Sequence, residues 1–212
     1  MVEERLPGRQ ALLDMGTGGG EFLSSLAGLP ATVWATESHA PNIPIARQRL
    51  ESYGYRLQPM EPSAPLPFDD RSFDIVINRH SEFDSAEVER CLRPGGVFVT
   101  QQVGGLNATD LNQALGAPLP DHVNWCLVTA LSQLASTALL VSDTAQHTGT
   151  YRFFSVDAVV FYLRAIPWQI PGLTVDGYLD RLALLDDLIL RDGHIDIMSQ
   201  RFMLVASKPA EA

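Results

Sequence analysis

The tightest constraint in the chain is a stretch of twelve residues, LLDMGTGGGEFL, running from Leu12 to Leu23. An apolar run carrying one acid, Asp14, meets Gly16, Gly18, Gly19 and Gly20 and then a helix-like start. Glycine loses the most conformational freedom on folding, so this density of it weakens the chain locally. The backbone must be needed bare at that point. In an α/β sheet, a strand, a glycine-rich turn and a helix form a cofactor site: ligands collect at the carboxyl ends of the strands. Exposed N–H groups and the helix dipole there favour a negative group.

The surrounding pattern supports such a sheet. ALLDMG, TVWATE, YRLQPM, SFDIVIN and VFVTQQV read as five strands, and EFLSSLAGL, IPIARQRLESYG and SAEVERCL read as helices between them. The strands are apolar runs without regular alternation, as in strands covered on both faces. Alternating strands and helices predict an α/β fold with a doubly wound, mostly parallel sheet. The second half is less regular. ATDLNQAL and DHVNWCLVTALSQLA read as helices and TALLVSD as a strand. SVDAVVFYLRAI reads as a helix that Pro167 ends. TVDGYLDRLALLDDLILRDG is an amphipathic helix with Tyr178, Leu182, Leu185 and Ile189 on one face and Gly193 as its stop. RFMLVASK closes as the last strand. The expected organisation is one domain over 1–212: a cofactor half to residue 103, a substrate-side half from 104, and a helical insertion at about 155–193 before the last strand.

Composition narrows the partners. With 46% hydrophobic and 19% charged residues the chain can bury a core, and its net charge of −10 argues against a general nucleic-acid binder. Cys91 and Cys126 form neither a CxxC pair nor a disulfide framework, which suits two buried thiols in a reduced, cytoplasmic setting. The start MVEERLPGRQ has no apolar signal core. Val123 to Ser142 is apolar but interrupted by Asn124, Ser132, Gln133, Ser136 and Thr137, so it reads as a helix and a strand rather than a membrane span. The histidines are scattered without metal-ligand spacing, and no metal is expected.

Two cofactor classes use a glycine turn with an acid at the end of the second strand, here Glu37, to accept hydrogen bonds from ribose hydroxyls. Nicotinamide enzymes carry G-x-G-x-x-G; Gly16, Gly18 and Gly20 give G-x-G-x-G. At this point the sequence resembles the class I S-adenosylmethionine-dependent methyltransferases. LLDMGTGGG matches their first motif and ATE, ending at Glu37, their ribose-binding acid. LPFDDRSFDIV (Leu66 to Val76) matches the approach to their fourth strand, and CLRPGGVFV (Cys91 to Val99) the turn before their fifth. The resemblance spans roughly residues 10 to 103, with four motifs in order. INRHSEFD, TQQVGG and FYLRAIPWQIPG are similar to a bacterial branch of the superfamily, without naming a substrate.

The resemblance implies S-adenosylmethionine as cofactor. It implies cofactor contacts at Asp14, Gly16, Thr17, Gly18, Gly20, Glu37, Ser38 and Asn78, with Asp14 near the ammonium of the methionine moiety. Many relatives carry an Asp-Ala pair near the adenine; this chain has Pro62 and Ser63 there, which leaves Glu61 as the substitute contact. Arg79 and His80 follow the fourth strand, whose end faces the methyl donor in this fold. Arg79 suits a carboxylate or phosphate partner, and His80 is the candidate base because its ordinary pKa lies near neutrality. Glu82, Tyr162 and Trp168 are candidate substrate contacts. The Pro167–Pro171 segment reads either as a stiff roof over the substrate, a role the short lead before Ala11 leaves open, or as ordinary core.

The expected activity is therefore methyl transfer to a small-molecule acceptor by in-line displacement. The competing readings are a non-catalytic S-adenosylmethionine-binding partner subunit and a NAD-dependent oxidoreductase on the same fold.

Overall fold

The structure, a computed structural model, describes residues 2–211. Seven strands run β1 (Ala11–Met15), β2 (Thr32–Glu37), β3 (Arg56–Pro59), β4 (Phe73–Arg79), β5 (Leu92–Val103), β6 (Leu140–Phe153) and β7 (Ile195–Ser207). Their helices are α1 (Glu21–Ser25), α2 (Asn42–Glu51), α3 (Ser85–Cys91), α4 (Thr109–Leu115), α5 (Leu127–Leu134), α6 (Val156–Ala165) and α7 (Leu179–Asp192). The sheet order is β3-β2-β1-β4-β5-β7-β6. The pairs β1–β2, β1–β4, β2–β3 and β4–β5 are parallel. Ser142 lies against Val205 while Arg152 lies against Asp196, so β6 and β7 run in opposite directions. The sheet is mostly parallel with an antiparallel end, as the sequence pattern predicts.

Contacts divide the chain into two compact units: 1–102 with 130–145 and 203–212, and 103–129 with 146–202. In the first, successive residues Leu12 and Leu13 are both fully buried, so β1 is covered on both faces. Leu12, Val33, Ala35, Ile75 and Ile77 from the strands pack with Leu23 of α1 and Leu50 of α2. In the second unit Leu111, Val159, Leu163, Ile170, Leu182 and Leu185 form the core. The face read for α7 holds: Leu182, Leu185 and Ile189 are buried, Tyr178 is half-buried just ahead of the helix, and Gly193 ends it at φ 81°.

Several local expectations are corrected. Helix α1 stops at Ser25, because Leu26 is already extended ahead of Gly28 and Pro30. The helix expected over DHVNWCLVTALSQLA is confined to Leu127–Leu134; Thr129 Oγ1 accepts the Cys126 N–H at 2.8 Å and fixes the start there. Cys126 is only partly buried, whereas Cys91 is fully buried, and burial pushes its thiol up to about 11. The expected TALLVSD strand begins at Leu140 and continues to Phe153. The RPGG turn is absorbed into β5, where Gly95 at φ 76° donates its N–H to the Lys208 carbonyl at 3.0 Å.

The start of β1 is pinned by one carboxylate. Asp74 accepts the N–H groups of Gln10 at 2.8 Å and Ala11 at 2.9 Å, and the Arg93 guanidinium at 3.0 Å. Burial pushes its pKa up, but these donors outweigh burial and hold it below the ordinary carboxylate range. A depressed carboxylate contributes stability above its ordinary pKa and loses it as pH falls through the folded value. Asp74→Ala should therefore cost about 1.5–3 kcal/mol near neutral pH. The gap from the parent protein should close under acid, as read from denaturant midpoints across the pH range.

Candidate active site

Three left-handed glycines turn the chain after β1: Gly16 at φ 68°, Gly18 at 64° and Gly20 at 81°. L-residues with side chains rarely adopt this conformation. The loop is stitched to the end of β2. Thr17 donates its N–H to the Thr36 carbonyl at 2.9 Å, Gly16 to the Thr36 hydroxyl at 3.3 Å, and Gly18 to Glu37 Oε2 at 2.6 Å. The other oxygen of Glu37 accepts the N–H groups of Ser38 at 2.9 Å and His39 at 2.7 Å. Glu37 is thus a buried carboxylate neutralised by three backbone dipoles, not a solvated loop acid. A carboxylate offers about four lone-pair directions, and three are used. A Cβ added to Gly18 would meet nothing within 4 Å, so open space lies over the middle of the loop.

Below the loop Asp14 is 2% exposed. Burial pushes its pKa up to about 6 from an ordinary value of 3.8, against the opposing pull of the nearby Thr17 hydroxyl and the Arg79 charge. The Thr17 hydroxyl closes no well-formed hydrogen bond, and neither does buried Nε of Arg79. The Arg79 guanidinium lies over the Phe22 ring, 4.1 Å from its centroid.

The end of β4 is held by a buried amide cluster. Asn78 donates Nδ2–H to the Met15 carbonyl at 3.2 Å. Its Oδ1 accepts from the Thr100 hydroxyl at 2.9 Å and Gln102 Nε2 at 2.6 Å. Gln102 also donates to the Ser81 carbonyl at 3.1 Å. His80 is exposed and left-handed at φ 59°, with its N–H bonded to the Gln101 carbonyl at 2.9 Å. Ser81 packs so closely on Gly16 that any Cβ there would fall inside the serine side chain. Asp84 caps α3, accepting the Ala86 N–H at 2.8 Å.

These elements border a cavity of about 580 Å3, formed within the first unit. The walls come from Gly16, the Glu37–Ser38 corner, the Met60–Leu66 loop, the Ser81–Ser85 segment, and Gln133 and Ser136 at and beyond the end of α5. Of the residues singled out from sequence, Gly16, Glu37, Ser38, Glu61 and Glu82 line it, and Glu82 accepts the Ser63 hydroxyl at 3.2 Å. Asp14, Thr17, Gly18 and Gly20 belong to the loop beside it. Asn78 is committed to joining β1, β4 and β5. Tyr162 and Trp168 are in the second unit. Tyr162 accepts the Asn107 amide N–H at 3.2 Å and packs on Tyr151 and Phe153, and burial raises its pKa. Trp168 is 58% exposed while Gln169 and Ile170 are buried, so the reading of Trp168 as core is overturned. The cause is an amide pair: Gln169 Nε2 donates to Asn112 Oδ1 at 2.7 Å, and Asn112 returns a bond to the Gln169 carbonyl at 2.9 Å.

Sequence reasoning missed Ser81, Gln102 and Gln133. Only Gln102 left a signal: Gln101 and Gln102 are adjacent in a strand, so they face opposite ways and one must turn inward. Among the described residues no group of three or more His, Cys, Asp or Glu side chains could hold a metal, and no helix is long and apolar enough to cross a membrane.

This strand order, with its glycine loop and acid at the second strand end, defines the fold of the class I methyltransferases. Residues 13–100 match the family model described as a methyltransferase domain, and the sheet built around them has the class I methyltransferase fold. A candidate methyltransferase from Bacillus halodurans C-125 has a similar structure, with TM-score 0.67 and 17% identity over 96% of this chain and 94% of that one. The [4+2]-cyclase SpnF is similar at TM-score 0.62 and 20% identity, over 99% and 80%. A geranyl diphosphate methyltransferase in complex with S-adenosylmethionine is similar at 0.58 and 16%, over 97% and 82%. No curated protein matches the sequence at a significant level.

Asp14 generates a stability test. Its folded pKa is raised, so its contribution is fully present below about 3.8 and lost as pH rises towards about 6. Above that, the ligand-free protein carries a buried charge at a cost of up to about 3 kcal/mol. Asp14→Asn should raise the melting temperature at pH 7 to 8 and flatten the fall between pH 4 and 6, measured by thermal melts without ligand.

Proposed function

We propose that this methyltransferase uses S-adenosylmethionine to methylate a small-molecule acceptor. The observation that carries this reading is the cavity beside the glycine loop, with the Glu37 carboxylate fixed at its edge. Its volume of about 580 Å3 lies in the ordinary range for small-molecule sites. The net charge of −10 disfavours nucleic acid as the acceptor.

The residues present fit the cofactor. The bare backbone at Gly18 leaves room for a chain lying against it, and Glu37 keeps one lone-pair direction for a ribose hydroxyl. Sharing or releasing the Gly18 N–H would free a second. Asp14 and Thr17 offer a buried carboxylate and an unsatisfied hydroxyl to a cationic group. Glu61 and the Met60–Ser63 backbone frame the adenine side. When bound, the cofactor supplies a sulfonium methyl already activated for displacement.

The protein's part is to hold acceptor and methyl in line and keep water out. Neither Arg79 nor His80 lines the cavity, but both adjoin its Ser81 wall at the end of β4. We assign His80 the proton of an acceptor that must lose one, and Arg79 the positive charge for an anionic acceptor group reaching that end of the strand.

Glu37→Ala should weaken S-adenosylhomocysteine binding by about 1.5–3 kcal/mol, the worth of hydrogen bonds to a charged group. Gly18→Val should abolish binding while the fold survives a left-handed penalty of about 1–2 kcal/mol. Unchanged calorimetric dissociation constants in both would remove the cofactor assignment.

His80→Ala should lower turnover by roughly 10²–10⁴-fold with S-adenosylhomocysteine affinity kept. The acceptor class is tested with methyl-labelled donor and separate small-molecule, RNA, DNA and protein fractions. Label confined to a macromolecule would overturn the small-molecule reading. Tight cofactor binding without label in any fraction would turn it to a non-catalytic binding subunit.

A further inference from the structure

The outer edge of the sheet is unusual. Strand β6 ends the strand order and is fourteen residues long, yet Leu140 through Thr148 are all exposed. Successive strand residues point to opposite faces, so neither face of this segment is covered. Leu140 and Val141, on opposite faces, are 61% and 40% exposed. An edge strand also presents a row of backbone donors and acceptors to solvent, and soluble proteins normally blunt such edges with proline, lysine, a bulge or shortness. Leu140–Phe153 contains no proline and no lysine, and is far from short.

We propose that β6 is a dimer interface: a second copy of this chain adds its own β6 antiparallel to this edge, about a two-fold axis through Ala145. The choice of partner follows from symmetry and charge. A two-fold pairing is self-complementary and closes after one addition, whereas head-to-tail contacts close only into larger rings or run on as open filaments. The axis must stand perpendicular to the joined sheet, so residues facing each other lie on the same face and are separated by an even number of positions. Between Leu140 and Thr150 the only acid is Asp143 and the only basic side chain is His147. They share a face four residues apart. Pairing about Ala145 sets Asp143 of each copy opposite His147 of the other, on both sides of the axis.

The neighbouring two-fold registers lose this match. Centring on Thr144 sets Asp143 opposite Ala145 and His147 opposite Val141, and centring on Gln146 sets Asp143 opposite Gly149 and His147 opposite Ala145, so neither pairs the acid with the imidazole. One step further out, centring on Asp143 sets two carboxylates face to face, which is destabilising, and centring on His147 opposes two imidazoles. The register about Ala145 also opposes Val141 to Gly149, Ser142 to Thr148 and Thr144 to Gln146, so no bulky pair collides and polar side chains meet polar ones. The two small Ala145 methyls meet at the axis.

Sedimentation velocity on the purified full chain should show a dimer of twice 23.2 kDa. Ala145→Lys places two like charges opposite each other at the axis and should give a folded monomer, with an unchanged far-UV circular dichroism spectrum and a melting temperature that no longer depends on protein concentration, since position 145 is exposed. In a Cys126→Ser background, Ala145→Cys should form an interchain disulfide under mild oxidant, because directly opposed strand residues lie within disulfide reach. Asp143→Cys in the same background should not, because its counterpart position is 147. A chain that stays monomeric at its highest soluble concentration overturns the proposal, as does a dimer that Ala145→Lys leaves intact. Stronger cross-linking at position 143 than at 145 overturns the register. If Ala145→Lys fails to fold, the cysteine pair decides alone.

Discussion

One buried carboxylate organises the ligand-facing edge of the sheet. Glu37 sits where β2 stops, and its oxygens take backbone N–H groups from two separate loops: Gly18 in the glycine loop, and Ser38 and His39 in its own turn. A charge in low dielectric costs several kcal/mol unless it is met by dipoles, so the two loops cannot part without exposing that cost. The bare loop is therefore not slack. Its glycines permit the path, and Glu37 and Thr36 fix it.

A second polar cluster does for β4 what Glu37 does for β1 and β2. Asn78, Thr100 and Gln102 lock three strand ends in register, and Gln102 carries the constraint on to Ser81. Ser81 in turn rests on Gly16, so the wall and floor of the cavity are set by neighbours and not by either loop alone. Buried networks of this kind are costly when half satisfied and rigid when complete. The Asn112–Gln169 pair works the same way in the second unit, drawing Gln169 and Ile170 inward and leaving Trp168 in solvent.

The sequence announces the parts of the fold that rest on local chemistry. Left-handed glycines after β1, the apolar runs of β1, β2, β4 and β5, and the stripe on α7 are each written in residue type and spacing. Glu37 is legible by position, although its three backbone partners are not, since they depend on how two loops meet. Asn78 is legible as an amide at a strand end, but its neighbours are not: Thr100 and Gln102, more than twenty residues away, are brought to it by the sheet. Ser81 carries no signal, as its closeness to Gly16 arises from tertiary packing alone. The apolar run that marks β6 ends at Val141, whereas the strand continues through polar residues to Phe153 because it pairs with β7, a long-range contact that residue type does not announce.

His80 is held in a backbone region that glycine and asparagine occupy most easily, its N–H anchored by Gln101. Mutational drift governed by folding alone would thus run towards those two residues and away from valine, isoleucine or threonine, whose branching makes the left-handed turn hardest to adopt. A library randomised at position 80 and sorted for solubility, then for turnover, would pull the two pressures apart: the first sort enriches small, turn-forming side chains, and whatever imidazole survives the second is retained for its chemistry.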